Sequence, residues 1–337
     1  MQTRVFGTTG LRVSELVLGT GNFGTGWGYG SDRAEAARIF EAYADAGGNF
    51  IDTADVYQFG ESEQILGDLL VGRREDFLLT SKFTIGSAPK GGPLVTGNSR
   101  KAMIASVEAS LRRLKTDRID IYWAHYADGV TPSEELVRGF DDLARSGKIL
   151  YAGLSNFPAW RITRAATLAE LTRSVPVAAV QVEYNLVHRS PETDVFQAAN
   201  ALGIGIVSYS PLAGGMLTGK YRRGEGGRET GLGGRAFRPE NTAEKAAVVD
   251  VLLNVAVEHA TSPDKVAIAW VASKGVIPMV GPRTVEQLKS NLGSLDLVLS
   301  DEQIRRLDEV AHPMLNNDHD TLEGLKGRIQ PISQVVA

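Results

Sequence analysis

Cysteine is absent from all 337 residues, so the chain can form no disulfide, no thiolate metal centre and no thiol nucleophile. Long apolar runs are absent too. No stretch approaches the ~20 residues of a membrane-spanning helix, and Met1-Gln2-Thr3-Arg4-Val5-Phe6 lacks the apolar core of a secretory signal. Neither sign of charge dominates: a net charge of −4 leaves no basic face for nucleic acid or an anionic membrane. Ligand spacing is missing among His188, His259, His312 and His319, and the last two, near Asp318 and Asp320, read as a solvated tail, so no metal is expected. These absences leave the expectation of a cytoplasmic protein that acts on a small molecule, with its oligomeric state open.

What is present suits one large α/β unit. The chain is 43% hydrophobic, and its length falls within the range of a single barrel of strands and helices. A hairpin signal comes first, with residues 3–6 and 11–13 flanking the turn Gly7-Thr8-Thr9-Gly10. Apolar strand runs follow at 16–18, 49–52, 77–81, 119–124, 149–154, 178–183, 205–209 and 277–280. Helical patterns lie between them near 33–46, 61–71, 99–114, 133–146, 158–172, 192–201 and 263–273, with another near 284–292 and a last one ending near Val310. Asp32 with Glu35, Ser62, Pro132 with Ser133, and Pro158 mark helix starts; Gly47-Gly48, Gly147 and Gly203 mark stops. Strands alternating with helices imply a parallel sheet, and eight repeats imply closure into a (β/α)8 barrel, here with an N-terminal hairpin and extra helices near the C-terminus. No linker divides residues 1–337, which read as one domain with a weakly patterned tail from about 313. Two glycine-rich stretches, 86–97 and 212–239, follow strand ends and should overhang the active face.

Gly19-Thr20-Gly21-Asn22-Phe23-Gly24 matches the dinucleotide fingerprint GxGxxG, but its context argues against that use. A fingerprint helix opens within the glycine turn to meet the pyrophosphate. Here Thr25-Gly26-Trp27-Gly28-Tyr29-Gly30 intervene before the cap at Ser31-Asp32. A loop at the mouth of the first barrel strand fits the text better.

Four polar residues stand at or near the ends of successive strand runs: Asp52, Tyr57, Lys82 and His125. A carboxylate, a phenol, an ammonium and an imidazole make poor core residues, yet at the C-terminal mouth of a parallel barrel they form a catalytic cluster. Tyrosine, with an ordinary pKa of roughly 10, is a poor acid near neutrality unless a cation stabilises its phenolate. Lys82 can supply that charge, Asp52 can hold Lys82, and His125 can orient a substrate oxygen toward Tyr57. None of the four supplies a hydride, so the chemistry calls for a cofactor. Later strands end in groups suited to one. Ser155, Asn156 and Gln181 offer hydroxyl and amide, and Tyr209 offers a flat face for a nicotinamide. The loop Ser210-Pro211-Leu212-Ala213-Gly214-Gly215-Met216-Leu217-Thr218-Gly219-Lys220 is rich in backbone donors for a pyrophosphate. Gly281 and Arg283 lead into a helix carrying Gln287 and Asn291, a phosphate site by geometry and charge.

These residues carry a resemblance to the aldo-keto reductase superfamily, in particular its aryl-alcohol-dehydrogenase-like and sugar-reductase-like bacterial branches. It runs from about Arg4 to Ala311 and rests on ordered segments. They are Gly10-Leu11-Arg12-Val13-Ser14, Leu18-Gly19-Thr20, Phe50-Ile51-Asp52-Thr53-Ala54-Asp55-Val56-Tyr57, Gly60-Glu61-Ser62-Glu63 and Thr80-Ser81-Lys82. Gly153-Leu154-Ser155-Asn156-Phe157, Gln181-Val182-Glu183-Tyr184-Asn185, Tyr209-Ser210-Pro211-Leu212 and Gly281-Pro282-Arg283 complete the set. The resemblance implies a barrel that binds NADP(H) across its mouth and reduces an aldehyde or ketone, with Asp52, Tyr57, Lys82 and His125 as the catalytic tetrad. It implies cofactor contacts from Gly19, Thr20 and Asp52 as well as from the later residues already named: Ser155, Asn156, Gln181, Tyr209, Ser210, Pro211, Leu212, Gly214, Leu217, Lys220, Gly281, Arg283, Gln287 and Asn291.

Two departures matter. The family often has His-x-Pro-Asp where this chain has His125-Tyr126-Ala127-Asp128, which brings Tyr126 toward the substrate pocket with Trp27, Tyr29 and Phe59; Phe83 also follows a strand end. Some branches place lysine and arginine at the 2′-phosphate site where Gly281 and Gln287 stand here, so Arg283 is left for that role and NAD(H) stays open as a second cofactor. Aryl, sugar and polycyclic carbonyls all suit an aromatic pocket. A competing reading is a regulatory subunit similar to potassium-channel beta subunits, which keep the barrel and cofactor. Those usually carry an extension before the hairpin, and a hairpin beginning at Thr3 favours the enzyme.

Overall fold

The computed structural model describes residues 1–88, 91–92, 94–227 and 239–311. A short antiparallel hairpin, β1 (Thr3–Val5) with β2 (Arg12–Ser14), precedes eight parallel strands. These are β3 (Val17–Gly19), β4 (Phe50–Asp52), β5 (Leu78–Phe83), β6 (Ile119–Ala124), β7 (Ile149–Ser155), β8 (Val177–Glu183), β9 (Gly205–Tyr209) and β10 (Ile277–Val280). They pair in chain order, and β10 closes the ring by pairing with both β9 and β3. The expected (β/α)8 barrel is therefore present, with strand ends within two residues of the sequence reading. Lys82 lies inside β5 and Ser155 inside β7, rather than just beyond them.

Helices α1 (Arg33–Asp45), α2 (Glu61–Leu69), α3 (Arg100–Leu114), α4 (Ser133–Arg145), α5 (Ala159–Thr172) and α6 (Val195–Ala201) cover the early strands. Helices α7 (Ala243–Glu258), α8 (Pro263–Ser273), α9 (Val285–Leu292) and α10 (Asp301–Val310) follow. The sequence reading missed α7, whose valine-rich text looks like neither an amphipathic helix nor a strand. Within the stretch taken as loop 212–239, 3-10 turns form at Ala213–Thr218 and Lys220–Arg223; residues 228–238 and the tail from 312 lie outside the described residues. Caps settle the helix starts: Asp32 accepts from Glu35 N at 2.8 Å, and Ser300 forms a capping box with Gln303. No helix among the described residues is long and apolar enough to cross a membrane.

The two-residue period of a strand sorts each one into an outer face under the helices and an inner face within the barrel. Phe50, Leu78, Ile121, Trp123, Ala179, Val207, Ile277 and Met279 fill the lower barrel with Phe6 and Val13 of the hairpin segment. Phe6 meets Phe50 edge-on at 5.6 Å, so the hairpin stoppers the N-terminal end. Continuing the same inner rows upward by two residues leads from Phe50 to Asp52, Leu78 to Thr80 and Lys82, Trp123 to His125, Ala179 to Gln181, and Val207 to Tyr209. One periodicity thus gives an apolar floor and a polar mouth.

The floor leaves little slack. A Cβ on Gly205 would stand 2.5 Å from the Phe6 ring. We expect Gly205→Ala to push Phe6 out and destabilise the fold by about 1–3 kcal/mol, as overpacking of a filled core does. Urea denaturation measures it; an unchanged midpoint would show that the hairpin is a loose cover.

Candidate active site

The mouth is organised around a fully buried ammonium. Lys82 Nζ donates to Asp52 Oδ2, to Thr53 O at 2.9 Å and to the Tyr57 hydroxyl at 3.1 Å. Asp52 Oδ1 accepts from Thr80 Oγ1 at 2.7 Å and Gln181 Nε2 at 3.0 Å, so strands β4, β5 and β8 meet on one carboxylate. An ionised pair is tolerable out of water only when its remaining hydrogen-bonding positions are filled, and here they are. Tyr57 is aimed by a tight turn in which Gln58 (φ 51°), Phe59 (φ 57°) and Gly60 (φ 90°) are successively left-handed. His125 is set by its own N–H, which reaches Phe83 O and Thr84 Oγ1, and its ring meets the Tyr57 ring edge-on at 6.1 Å. The structure brings Asp52, Tyr57, Lys82 and His125 together.

Burial works against the Lys82 ammonium, but Asp52 and the Tyr57 oxygen outweigh it and hold its pKa above the usual lysine value. Burial pushes the Tyr57 phenol up; Lys82 pulls it down and Asp52 pushes it up again, leaving it raised. The expected downward pull of lysine is present, then, but desolvation wins and the phenol keeps its proton. Burial, helped by the Lys82 charge, drives His125 well below its ordinary value, so it is a neutral imidazole.

Two aromatic rings pack on Tyr57 and His125, and a third backs one of them. Trp27 packs edge-on to Tyr57 at 6.1 Å and to Phe59 at 6.4 Å, while Tyr126 stacks on His125 at 4.9 Å. Tyr29 is not in this group: its ring lies 4.6 Å beneath the Arg283 guanidinium, at the other end of the loop. Phe83 is buried in the outer core against Tyr122 and Phe140.

The candidate cofactor residues fall into two sets. Those along β7, β8 and β9 are already engaged with the tetrad. Asn156 Nδ2 donates to His125 O and to Ser155 Oγ, both at 3.0 Å, Asn156 Oδ1 accepts from Tyr209 OH at 2.9 Å, and Gln181 is committed to Asp52. Gly19 packs against Met279, and the Thr20 hydroxyl is bound to Asp52 O and Ser62. The second set lines an open turn. Gly214 and Gly215 have positive φ, Pro211 and Leu217 are buried, Ser210 also has a positive φ and Leu212 is half-buried. Lys220 stands over the Tyr221 ring, and Arg222 and Arg223, other cations of that turn, are paired with Glu240, Asp250 and Glu225. Arg283 Nε is buried without a partner among the described residues, the condition of a donor awaiting an anion. A Cβ on Gly281 would have 3.6 Å of clearance to its nearest neighbour, and Gln287 Oε1 holds Arg283 N at 2.8 Å. Asn291 is buried and tied to Asp264, which locks α8 to α9. A phosphate-bearing dinucleotide fits this second set. Among the described residues no cluster of His, Cys, Asp or Glu has metal-site geometry.

Sequence reasoning passed over Gln58, whose amide is buried and fully bonded, and Asp55. Asp55 lies next to Lys82, its N–H donating to Lys82 O at 3.1 Å, and its carboxylate oxygens are buried with no close hydrogen-bond partner among the described residues. The hint available was a second aspartate in Asp52-Thr53-Ala54-Asp55 at a strand end.

The chain matches the model of the aldo/keto reductase family over residues 15–312. It is 36% identical over 321 residues to an uncharacterized oxidoreductase of Bacillus subtilis, spanning 92% of this chain and 96% of that one. An aryl-alcohol dehydrogenase [NADP(+)] of Phanerodontia chrysosporium is 35% identical, over 89% of this chain and 83% of its own length. A norsolorinic acid reductase of Aspergillus flavus is 34% identical, over 90% and 79%.

Burial, reinforced by Glu63 and partly opposed by Arg113, raises the Asp55 pKa from 3.8 to about 7. Unfolding therefore releases a proton between those values, so stability falls as pH rises from about 4 to about 7 and levels off above. At about 1.4 kcal/mol per unit, the loss attributable to Asp55 is at most about 4 kcal/mol. Asp55→Asn should remove that slope and gain on the wild type between pH 5 and 8 in urea denaturation. Parallel curves for the two chains would show that Asp55 is ionised throughout.

Proposed function

We propose that this chain, which belongs to the aldo/keto reductase family and is an NAD(P)H-dependent oxidoreductase of carbonyl compounds, reduces aromatic aldehydes and ketones, prefers NADPH, and uses Tyr57 as its proton donor. The observation that carries the reading is the Tyr57 hydroxyl held 3.1 Å from the buried Lys82 ammonium, beside a neutral His125. Support for the aryl class comes from the Trp27 ring beside Tyr57, the Phe59 ring behind Trp27 and the Tyr126 ring on His125, and from the name of one relative, an aryl-alcohol dehydrogenase. The proposal takes residues 1–337 as one catalytic unit.

Ser155, Asn156, Gln181 and Tyr209 would hold the nicotinamide end, the turn at Ser210–Lys220 the pyrophosphate, and Gly281, Arg283, Gln287 and Asn291 the adenosine end. When bound, the reduced nicotinamide supplies the hydride that reaches the carbonyl carbon. The chain supplies everything at the oxygen. His125 donates a hydrogen bond from one imidazole nitrogen and orients the carbonyl, and Tyr57 gives up its proton as charge grows on the oxygen. Lys82 then stands beside a phenolate that its ammonium stabilises, and the phenol, whose pKa burial holds raised, recovers its proton from solvent. Asp52 keeps Lys82 charged and fixed. The resting phenol, raised by burial, starts each cycle protonated.

Tyr57→Phe should lower kcat/KM by about two to four decades, the contribution of a positioned general acid, while the dissociation constant of NADPH stays unchanged. Reduction of benzaldehyde at near wild-type rate would end the assignment. Arg283→Ala should weaken NADPH by about one to two decades, the loss of one charge-assisted contact, and NADH far less. Titrating intrinsic fluorescence with each cofactor reads both; equal losses would mean that Arg283 only supports its loop.

A further inference from the structure

We propose that Gln58 is a positioning residue that sets the size selectivity of the carbonyl pocket, by clamping the loop that carries Trp27. The inference rests on the aryl reading above and assigns it a determinant outside the tetrad.

Residues 21–31 form a loop closed at its base by two backbone bonds, Gly24 N to Ser31 O and Ser31 N to Asn22 O, at 2.8 and 2.6 Å. Above that base the tip has one internal backbone bond, Gly28 N to Thr25 O, and no buried apolar anchor; Thr25, Gly26 and Gly28 are exposed. The tip is held from outside. Glu61 Oε2 accepts from Thr25 N and Gly26 N, and the Gln58 amide makes three further hydrogen bonds. Gln58 Oε1 accepts from Trp27 N at 2.8 Å, while Nε2 donates to Gly21 O and Tyr29 O, both at 3.0 Å. A backbone N–H on one side and two carbonyls on the other require a group that both accepts and donates in one plane, which an amide does and neither a carboxylate nor a hydrocarbon can.

The approach is close: a Cβ on Gly26 would stand 2.7 Å from Gln58 O, and one on Gly30 would stand 3.1 Å from Gln58 Nε2. Gln58 itself sits at φ 51°, a conformation that side-chain-bearing residues rarely adopt. A left-handed glutamine, only 1% exposed and bonded to three residues of a facing loop, is held there by those bonds rather than by its own preference. Gln58 directly follows Tyr57, so the turn that aims the hydroxyl also fixes the Trp27 ring beside it. The same amide holds Tyr29, whose ring underlies Arg283.

Without the clamp the tip and its indole should wander, and a large flat substrate should lose its wall while a small one loses nothing it used. The probes are 2-naphthaldehyde and propanal with saturating NADPH. Gln58→Gly suits the left-handed backbone and removes the amide; Gln58→Met keeps the volume and removes the bonds. Each should raise KM for 2-naphthaldehyde by about tenfold, the scale of one lost aromatic contact, with kcat within about threefold and propanal parameters little changed. In a Trp27→Ala background, Gln58→Gly should add nothing further. Equal losses on both aldehydes, additive losses in the double variant, or a wild-type profile for Gln58→Met would overturn the proposal. A readout without turnover is acrylamide quenching of Trp27, taken as the difference between each chain and its Trp27→Phe counterpart. Quenching should rise in Gln58→Gly, and an unchanged value overturns the clamp. If the wild type turns over no aryl carbonyl, the aryl reading fails while the quenching result still decides whether Gln58 holds the loop.

Discussion

Everything at the mouth of this barrel answers to the cost of placing the Lys82 ammonium where water does not reach. The charge is tolerable because Asp52 faces it, and Asp52 is tolerable because Thr80 and Gln181 satisfy its other oxygen. Tyr57 enters the same account as a hydrogen-bond partner of the ammonium. A fully satisfied cluster of this kind has one arrangement of low energy, so the phenol direction is fixed before any substrate arrives. Rigidity here comes from electrostatics, whereas the floor owes it to packed rings.

How far the sequence speaks depends on whether a residue's role is written in its own strand. Asp52, Lys82, Gln181 and Tyr209 are legible because each extends an inner-facing row by two positions, and the barrel itself follows from eight alternating repeats. Gln58 was not legible, because its partners lie 29 to 37 residues earlier and depend on where a glycine-rich loop folds back. Asp55 was hidden for a related reason. Its neighbours Glu63 and Arg113 come from two different helices, and only their packing removes water from the carboxylate. The α7 helix escaped because its periodicity is blurred. Tyr29 was read with the pocket aromatics from its position in the loop, although chain proximity to Trp27 does not decide which way a ring turns.

The loop 21–31 joins two regions usually considered apart. Its Asn22 and Ser31 side chains bond to Gly281 O and Arg283 O, and its tip rests on the turn after Tyr57. The segment proposed to recognise the adenosine end and the wall proposed to recognise the aryl ring are therefore two ends of one short piece of chain. A change in either end has a material route to the other through a handful of named bonds.

The bond between Gln181 and Asp52 spans 129 residues of chain. During folding, Asp52 and Lys82 can find each other once β4 and β5 pair, but the carboxylate is fully satisfied only when β8 has joined the sheet. Until then Asp52 has Lys82 and Thr80 as partners, and the position that Gln181 fills is left to water. Assembly of the upper barrel thus waits on sequence-distant closure, which is slow to reach because loop entropy must be lost first. The cluster ties the mouth to the register of the ring: only the pairing that brings Gln181 opposite Asp52 completes the carboxylate's set of partners.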